Sequence, residues 1–421
     1  MHFIKILLHL LALYATFQRC YSEANQLRDA KTPTDCTPSS SILFEVTGNI
    51  YPDGYYYVSV CLGDPPTPYH LDFDTGSHFT WVQCDAPCQK CLPAPHPPYK
   101  PVTWKMKGCR DPICEDIRYP KDHVCESPNE PCTYYLRYAD GGSSLGVVIN
   151  DPITLQYTNG TLIKPDISFG CGYHQKHPDP NNRPYVDGIL GLGSGKEGIL
   201  SQLRELGIIK NVVGHCFSTQ GGGYLFLGDE FVPSSVVWTP MITSDEFAKR
   251  YFLGVAELYV GGAATGVRDL RVLFDSGTTF SFFAPEAYGA LVSMLSNDIK
   301  EKQLYRVHDE YLPVCWRGPQ PFESIEDVKN IFKPIALSFE NSQNTWLEMY
   351  PEAYLIVTKD GNVCLGILDS TAIGAPTVNL IAAISFHDKL IIYDNENQKI
   401  GWTIANCKDP PQSQCHSLVI N

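Results

Sequence analysis

HLDFDTGSHFT (residues 70–80) and VLFDSGTTFSF (272–282) are two versions of one phrase, an apolar strand running into Phe-Asp-Thr/Ser-Gly-Ser/Thr. Asp74 and Asp275 stand 201 positions apart, and each copy leads into aromatic and hydroxyl-bearing residues. Downstream of the first copy lies DGILGLG (187–193), and downstream of the second LIAAI (380–384). The offsets match closely, since Gly191 follows Asp74 by 117 positions and Ala382 follows Asp275 by 107. Self-similarity on this scale means two lobes built to one plan, each contributing one acidic turn.

Outward from the first copy, ILFEVT, YYYVSVC and HLDF follow one another as short strand patterns separated by Pro, Gly and Asp turns. With 24 Tyr, 19 Phe, 33 Gly and 32 Pro in 421 residues, the chain is expected to be all-β. Three short helical patterns interrupt it, near 198–207, 284–300 and 322–332. The expected organisation is a signal peptide over 1–22, a short polar segment over 23–41 standing where a prosegment would, lobes over 42–230 and 231–407, and a tail over 408–421. The Tyr55-Tyr56-Tyr57 run reads as strand packing.

A formal charge of −14 argues against nucleic acid or anionic lipid as a partner. The opening MHFIKILLHLLALYATFQRCYS has the cationic start and short apolar run of a secretory signal, and no later stretch is long and apolar enough to span a membrane. A destination along the secretory pathway, extracellular, vacuolar or in the endoplasmic reticulum, is therefore expected. Sixteen cysteines on such a route imply disulfides, and loss of Cys20 with the signal leaves an odd number. Seven of them, Cys84, Cys88, Cys91, Cys109, Cys114, Cys125 and Cys132, crowd between Trp81 and Tyr138. Half a zinc site at Cys88–Cys91 is the rival to a disulfide-stapled loop, and the stapled loop is favoured in an oxidised chain. Because seven is odd, at least one must pair outside the cluster or stay free. Cys315 with Cys364 is the expected second-lobe bridge, and Cys171 with Cys216 the first-lobe one. Asn159-Gly160-Thr161 is a glycosylation sequon in a turn-like stretch.

The repeated turn carries the chemistry. Glycine lets backbone come close to whatever faces it, and the flanking hydroxyls can hold a carboxylate or interlock with the mirror-image turn. Two such turns meeting at a pseudo-twofold axis bring two carboxyls together, and like charges that close share one proton. One carboxyl can then act as general base on a water while its protonated partner polarises a carbonyl, with no metal or organic cofactor.

On these segments, together with YLRYADGGSSLGVVIND, VVGHCFS, NVCLGILD and IIYDNENQKIGW, the chain resembles the pepsin-like aspartic proteases, most closely the plant nucellin-like branch. The resemblance spans roughly Phe44 to Cys407. It implies a bilobal pepsin-like fold and an acid-acting endopeptidase with Asp74 and Asp275 as the catalytic pair. It implies that Thr75 and Ser276 cross-brace the turns, that Gly76 and Gly277 belong to the same turns, and that Ser77 and Thr278 bond the carboxylates. Tyr138, in Arg137-Tyr138-Ala139-Asp140-Gly141-Gly142-Ser143, matches the tyrosine of a hairpin flap, and Trp81 the tryptophan that supports it. An extended polypeptide is the implied partner, and a monomer the implied state. The chain departs at Ala382, where the family's second loop has glycine, which would crowd the Asp275 turn. His78, following Ser77, is a candidate for tuning the pair. The rival reading keeps the fold and loses turnover, leaving a binding or inhibitor protein.

Overall fold

The computed structural model describes residues 41–410 apart from 103–104, 128, 180–182, 245–248, 310–311 and 341–344. The expected signal segment and nearly all of the polar segment after it lie outside the described residues, as does most of the tail.

The fold is all-β and two-lobed, as expected, with a few short helices. Strands Ile42–Asn49, Tyr55–Leu62 and Thr67–Asp74 form an antiparallel meander. In Tyr55–Leu62 strict alternation puts Tyr56, Val58, Val60 and Leu62 into the core and leaves Tyr55, Tyr57, Ser59 and Cys61 on the opposite face. Strand Thr67–Asp74 then pairs in parallel with Gly188–Gly191, which sets Asp74 opposite Gly191. The second lobe repeats this step: Leu270–Asp275 runs parallel to Asn379–Ala382, with Asp275 opposite Ala382. The repeat in the sequence is thus one strand-plus-glycine-loop unit built twice.

Beneath the two units lies a shared sheet. Val212–Phe217 pairs with Gly223–Leu227 on one side and with Lys389–Asp394 on the other, and Lys399–Ile404 and Val237–Pro240 extend it. Chain from both sides of residue 230 therefore shares one hydrogen-bonded layer. Its apolar side chains, such as Phe217, Leu225, Ile391 and Tyr393, are fully buried in the same cluster as Phe73 and Phe274.

Two of the three helical patterns form helices, Ile199–Glu205 and Pro285–Asp298. The third, near 322–332, is corrected to a single 3₁₀ turn at Ile325–Asp327. Its Ser324 and Asp327 close a capping box, but only Val328 and Phe332 are buried, so there is no continuous apolar face to carry further turns.

Every described cysteine is in a disulfide. Cys315–Cys364 forms as expected, across neighbouring strands. The Cys171–Cys216 expectation is corrected. Val82 is in register with Cys171, which brings Cys84 within reach, and Cys84 bonds Cys171. Cys216 bonds Cys407, after the last strand. Within the crowded loop Cys88 joins Cys91, Cys109 joins Cys125 and Cys114 joins Cys132, so Cys84 is the member that pairs outside it. Tied to each other, Cys88 and Cys91 offer no thiolate to zinc.

The Cys216–Cys407 link closes 191 residues of chain, the longest separation among the bridges between described residues. Its removal in Cys216→Ala/Cys407→Ala is expected to cost about 2–5 kcal/mol through the freed unfolded state, read as a lower denaturation midpoint in non-reducing buffer.

Candidate active site

Each acidic turn is organised by its own backbone. Gly76 N–H donates to Asp74 Oδ1 at 2.8 Å and the Ser77 hydroxyl donates to Asp74 Oδ2. In the second turn Gly277 N–H donates to Asp275 Oδ1 at 3.0 Å and Thr278 Oγ1 to Asp275 Oδ2 at 3.0 Å. The two turns then interlock. Thr75 N–H donates to Ser276 Oγ at 3.1 Å and Ser276 N–H to Thr75 Oγ1 at 2.9 Å, while the hydroxyls donate onward to Phe274 O and Phe73 O at 3.3 and 2.8 Å. The brace has the same plan read from either lobe.

Glycine is required on both sides of this contact. A Cβ on Gly76 would lie 2.6 Å from the Asp275 carboxyl, and one on Gly277 would lie 2.5 Å from Asp74 Oδ1. Each glycine leaves the space that the opposite carboxyl fills. The two carboxyls share a hydrogen bond, and Asp74 and Asp275 are only 8% and 9% exposed. Burial, and next the neighbouring Asp74, hold the Asp275 carboxyl well above the usual carboxylate range.

A hairpin lies over the pair. Thr133–Arg137 pairs with Ser143–Gln156, and the turn between them closes through Tyr138 N–H to Gly142 O at 2.9 Å, with Gly141 at φ +86°. Asp140 caps the turn by accepting from Gly142 N–H at 2.7 Å. Trp81 Nε1–H donates to the Tyr138 hydroxyl at 2.7 Å, which ties the hairpin tip to the strand after the first acidic turn. Tyr138 is close enough to Asp74 for that carboxylate, after burial, to raise its phenol further.

His78 does not face the pair. Its Nε2 lies 2.7 Å from buried Glu197 Oε1, which Lys249 also contacts at 2.9 Å. Ala382 is buried in an apolar cluster with Phe252, Leu273, Phe282 and Leu380. At the matching Gly191 a Cβ would meet His78 and Phe79 backbone at 2.7 Å. The sequon residue Asn159 is exposed in a tight turn.

Sequence reasoning missed two groups. Tyr393 places its hydroxyl 3.4 Å from Thr75 Oγ1 and 3.1 Å from His215 Nε2, making a buried layer under the brace. Burial pushes the His215 imidazole down to about 3, so this layer stays uncharged. Nothing in the Ile391-Ile392-Tyr393-Asp394 pattern signals that contact, which arises when a strand from the chain's end reaches the first acidic turn. The other is Asp72, which points to the same side of its strand as Asp74; the alternation in HLDFD gave that signal.

Family models for the N-terminal and C-terminal parts of xylanase inhibitors match residues 56–229 and 250–403. An aspartic proteinase of Oryza sativa subsp. japonica is 40% identical over 90% of this chain and 94% of its own length. Aspartic proteinase 36 of Arabidopsis thaliana is 30% identical over 84% of this chain and 74% of its own. Among solved structures, basic 7S globulin from soybean superposes with a TM-score of 0.67 at 15% identity, over 89% of this chain and all of that one. The aspartic proteinase from Irpex lacteus superposes with a TM-score of 0.61 at 18% identity, over 87% and 98%.

Two outcomes are expected from this geometry. Thr75→Val keeps the volume but leaves Ser276 N–H without its acceptor, and should cost about 1–3 kcal/mol in urea unfolding. Because folding keeps a proton on Asp275 that the unfolded chain releases, the stability this carboxyl contributes should fall as pH rises between about 4 and about 8, by up to about 1.4 kcal/mol per unit. Asp275→Asn should lessen that slope in melting curves taken across pH.

Proposed function

The chain belongs to the pepsin-like aspartic protease family of plants, and from that premise we propose that it is an endopeptidase working in acid through Asp74 and Asp275. The observation that carries the reading is the reciprocal fit of each carboxyl against the opposite glycine. Asp275, held protonated by burial and by its neighbour, donates to the oxygen of the scissile carbonyl. Asp74 takes a proton from a water, whose oxygen bonds the carbonyl carbon. The tetrahedral adduct then collapses: one of its hydroxyls returns its proton to Asp275 as the carbonyl re-forms and the C–N bond breaks, and the leaving nitrogen takes the proton held by Asp74, which restores the pair. The hairpin carrying Tyr138 closes over an extended polypeptide and excludes bulk water. No organic cofactor or metal enters the scheme.

A second reading has a specific observation behind it. The matching family models are named for inhibitors, so the same cleft could bind polypeptide without turnover. The intact brace, both carboxyls and the tyrosine hairpin favour the enzyme. A secretory route to the apoplast or vacuole, as a glycosylated monomer, fits the disulfides and the exposed Asn159. Among the described residues no helix is long and apolar enough to cross a membrane.

Digestion of an unfolded protein at acid pH, followed by mass spectrometry of the products, tests the proposal. Asp74→Asn and Asp275→Asn should each lower the cleavage rate by at least a thousandfold while retaining native circular dichroism, and a pepstatin-like mimic should stop the native chain. Undiminished turnover in either variant would remove the mechanism; no turnover in the native chain would leave the binding reading.

A further inference from the structure

The strand that delivers Asp74 carries a second carboxylate to the same face. In Thr67–Asp74 the core receives Leu71 and Phe73, both fully buried, while His70, Asp72 and Asp74 face the other way. Asp72 is half-buried, and among the described residues its side chain has no hydrogen bond or ion pair. The strand pairs on one side with Gly188–Gly191, which carries no charge, and on the other with Tyr55–Leu62. Tyr57 stands directly opposite Asp72, and Tyr55 lies near enough to feel its charge, so two half-buried phenol rings flank the carboxylate.

Such a group needs an explanation. Burial, with Asp74 and Asp275 nearby, holds Asp72 well above the usual carboxylate range. An apolar residue here would relieve that repulsion, as Ile189 does on the neighbouring strand. Arg183, whose charge reaches Tyr55, donates its terminal nitrogens to the carbonyls of Pro93 and Pro184. His70 is stacked on Tyr57, with ring centroids 4.5 Å apart, and Asp53 is held by Asn49. A carboxylate beside two aromatic faces is the chemistry that receives an ammonium or guanidinium.

We propose that Asp72, flanked by Tyr55 and Tyr57, selects a lysine or arginine side chain of the polypeptide lying across the Asp74–Asp275 pair. The inference rests on the cleft being a peptide-binding site and does not need that cleft to turn substrate over. An incoming cation offsets the repulsion from Asp74 and Asp275, so Asp72 ionises on binding and releases a proton.

The test uses statine-containing peptides of one length in which lysine is moved position by position, each matched to a norleucine peptide. Calorimetry at pH 5 in two buffers of different ionisation heat reads affinity and proton release together. The native chain should bind one lysine peptide roughly tenfold more tightly than its norleucine match, with proton release. Asp72→Asn and Asp72→Ser, each checked for native circular dichroism and for binding of the norleucine peptide, should lose both the preference and the release. The inference is overturned when no position shows a lysine preference, or when the preference survives in both variants. Asp72-dependent lysine binding without hydrolysis of the matching cleavable peptide upholds it and sinks the enzyme reading; hydrolysis without a lysine preference does the reverse.

Discussion

Two carboxyls occupy one buried spot because each fits the space left by the other lobe's glycine. A Cβ at Gly76 or Gly277 would stand about 2.6 or 2.5 Å from the facing carboxyl, so the approach and the missing side chain are the same fact. Two carboxylates packed side by side repel strongly in a medium poor in water. The contact survives because four hydrogen bonds among Thr75, Ser276 and the carbonyls of Phe73 and Phe274 lock the turns, and because Asp275 keeps a proton. A structure that holds such a pair has to supply rigidity from elsewhere.

It does so from beneath. Strand Lys389–Asp394 returns from near the chain's end to pair with Val212–Phe217, which puts Tyr393 under the brace between Thr75 and His215. A layer of neutral groups is the suitable support there, since another charge would shift the proton balance above it. To the side, His78 and Lys249 both contact buried Glu197, which links the turn after Ser77 and the segment before helix Ile199–Glu205 to the chain entering the second lobe. The outward face of strand Thr67–Asp74 and its neighbour Tyr55–Leu62 is different in kind. It carries Asp72, Tyr55 and Tyr57, half-buried and without ties to the brace, as a surface that meets a ligand would be.

Much of the fold could be read from the chain. The period-two alternation in Tyr55–Leu62 gives both strand and facing, because side chains there alternate between the core and the opposite face of the strand. Helix Pro285–Asp298 was legible for the same kind of reason, with a proline at its start and Ala287, Leu291 and Leu295 buried on one face. The stretch around 322–332 has similar composition but buries too little to continue past one 3₁₀ turn. Cys315–Cys364 was within reach of sequence reasoning, whereas Cys84–Cys171 and Cys216–Cys407 were not. Their partners are set by which strands become neighbours, Trp81–Gln83 beside Asp166–Lys176 and the final segment beside Val212–Phe217.

By itself the sequence determined the duplicated plan, the two acidic turns, their flanking hydroxyls and the Tyr138 hairpin, because each is a local pattern whose geometry follows from the residues within it. Tertiary structure alone decided that His78 turns to Glu197, that Ala382 finds an apolar pocket, and that Tyr393 and His215 underlie the brace. It also decided that Asp72 shares its open face with two tyrosine rings from the neighbouring strand. Those relations join residues tens to hundreds of positions apart, and only the sheet register, fixed by packing the whole core at once, specifies which of them meet.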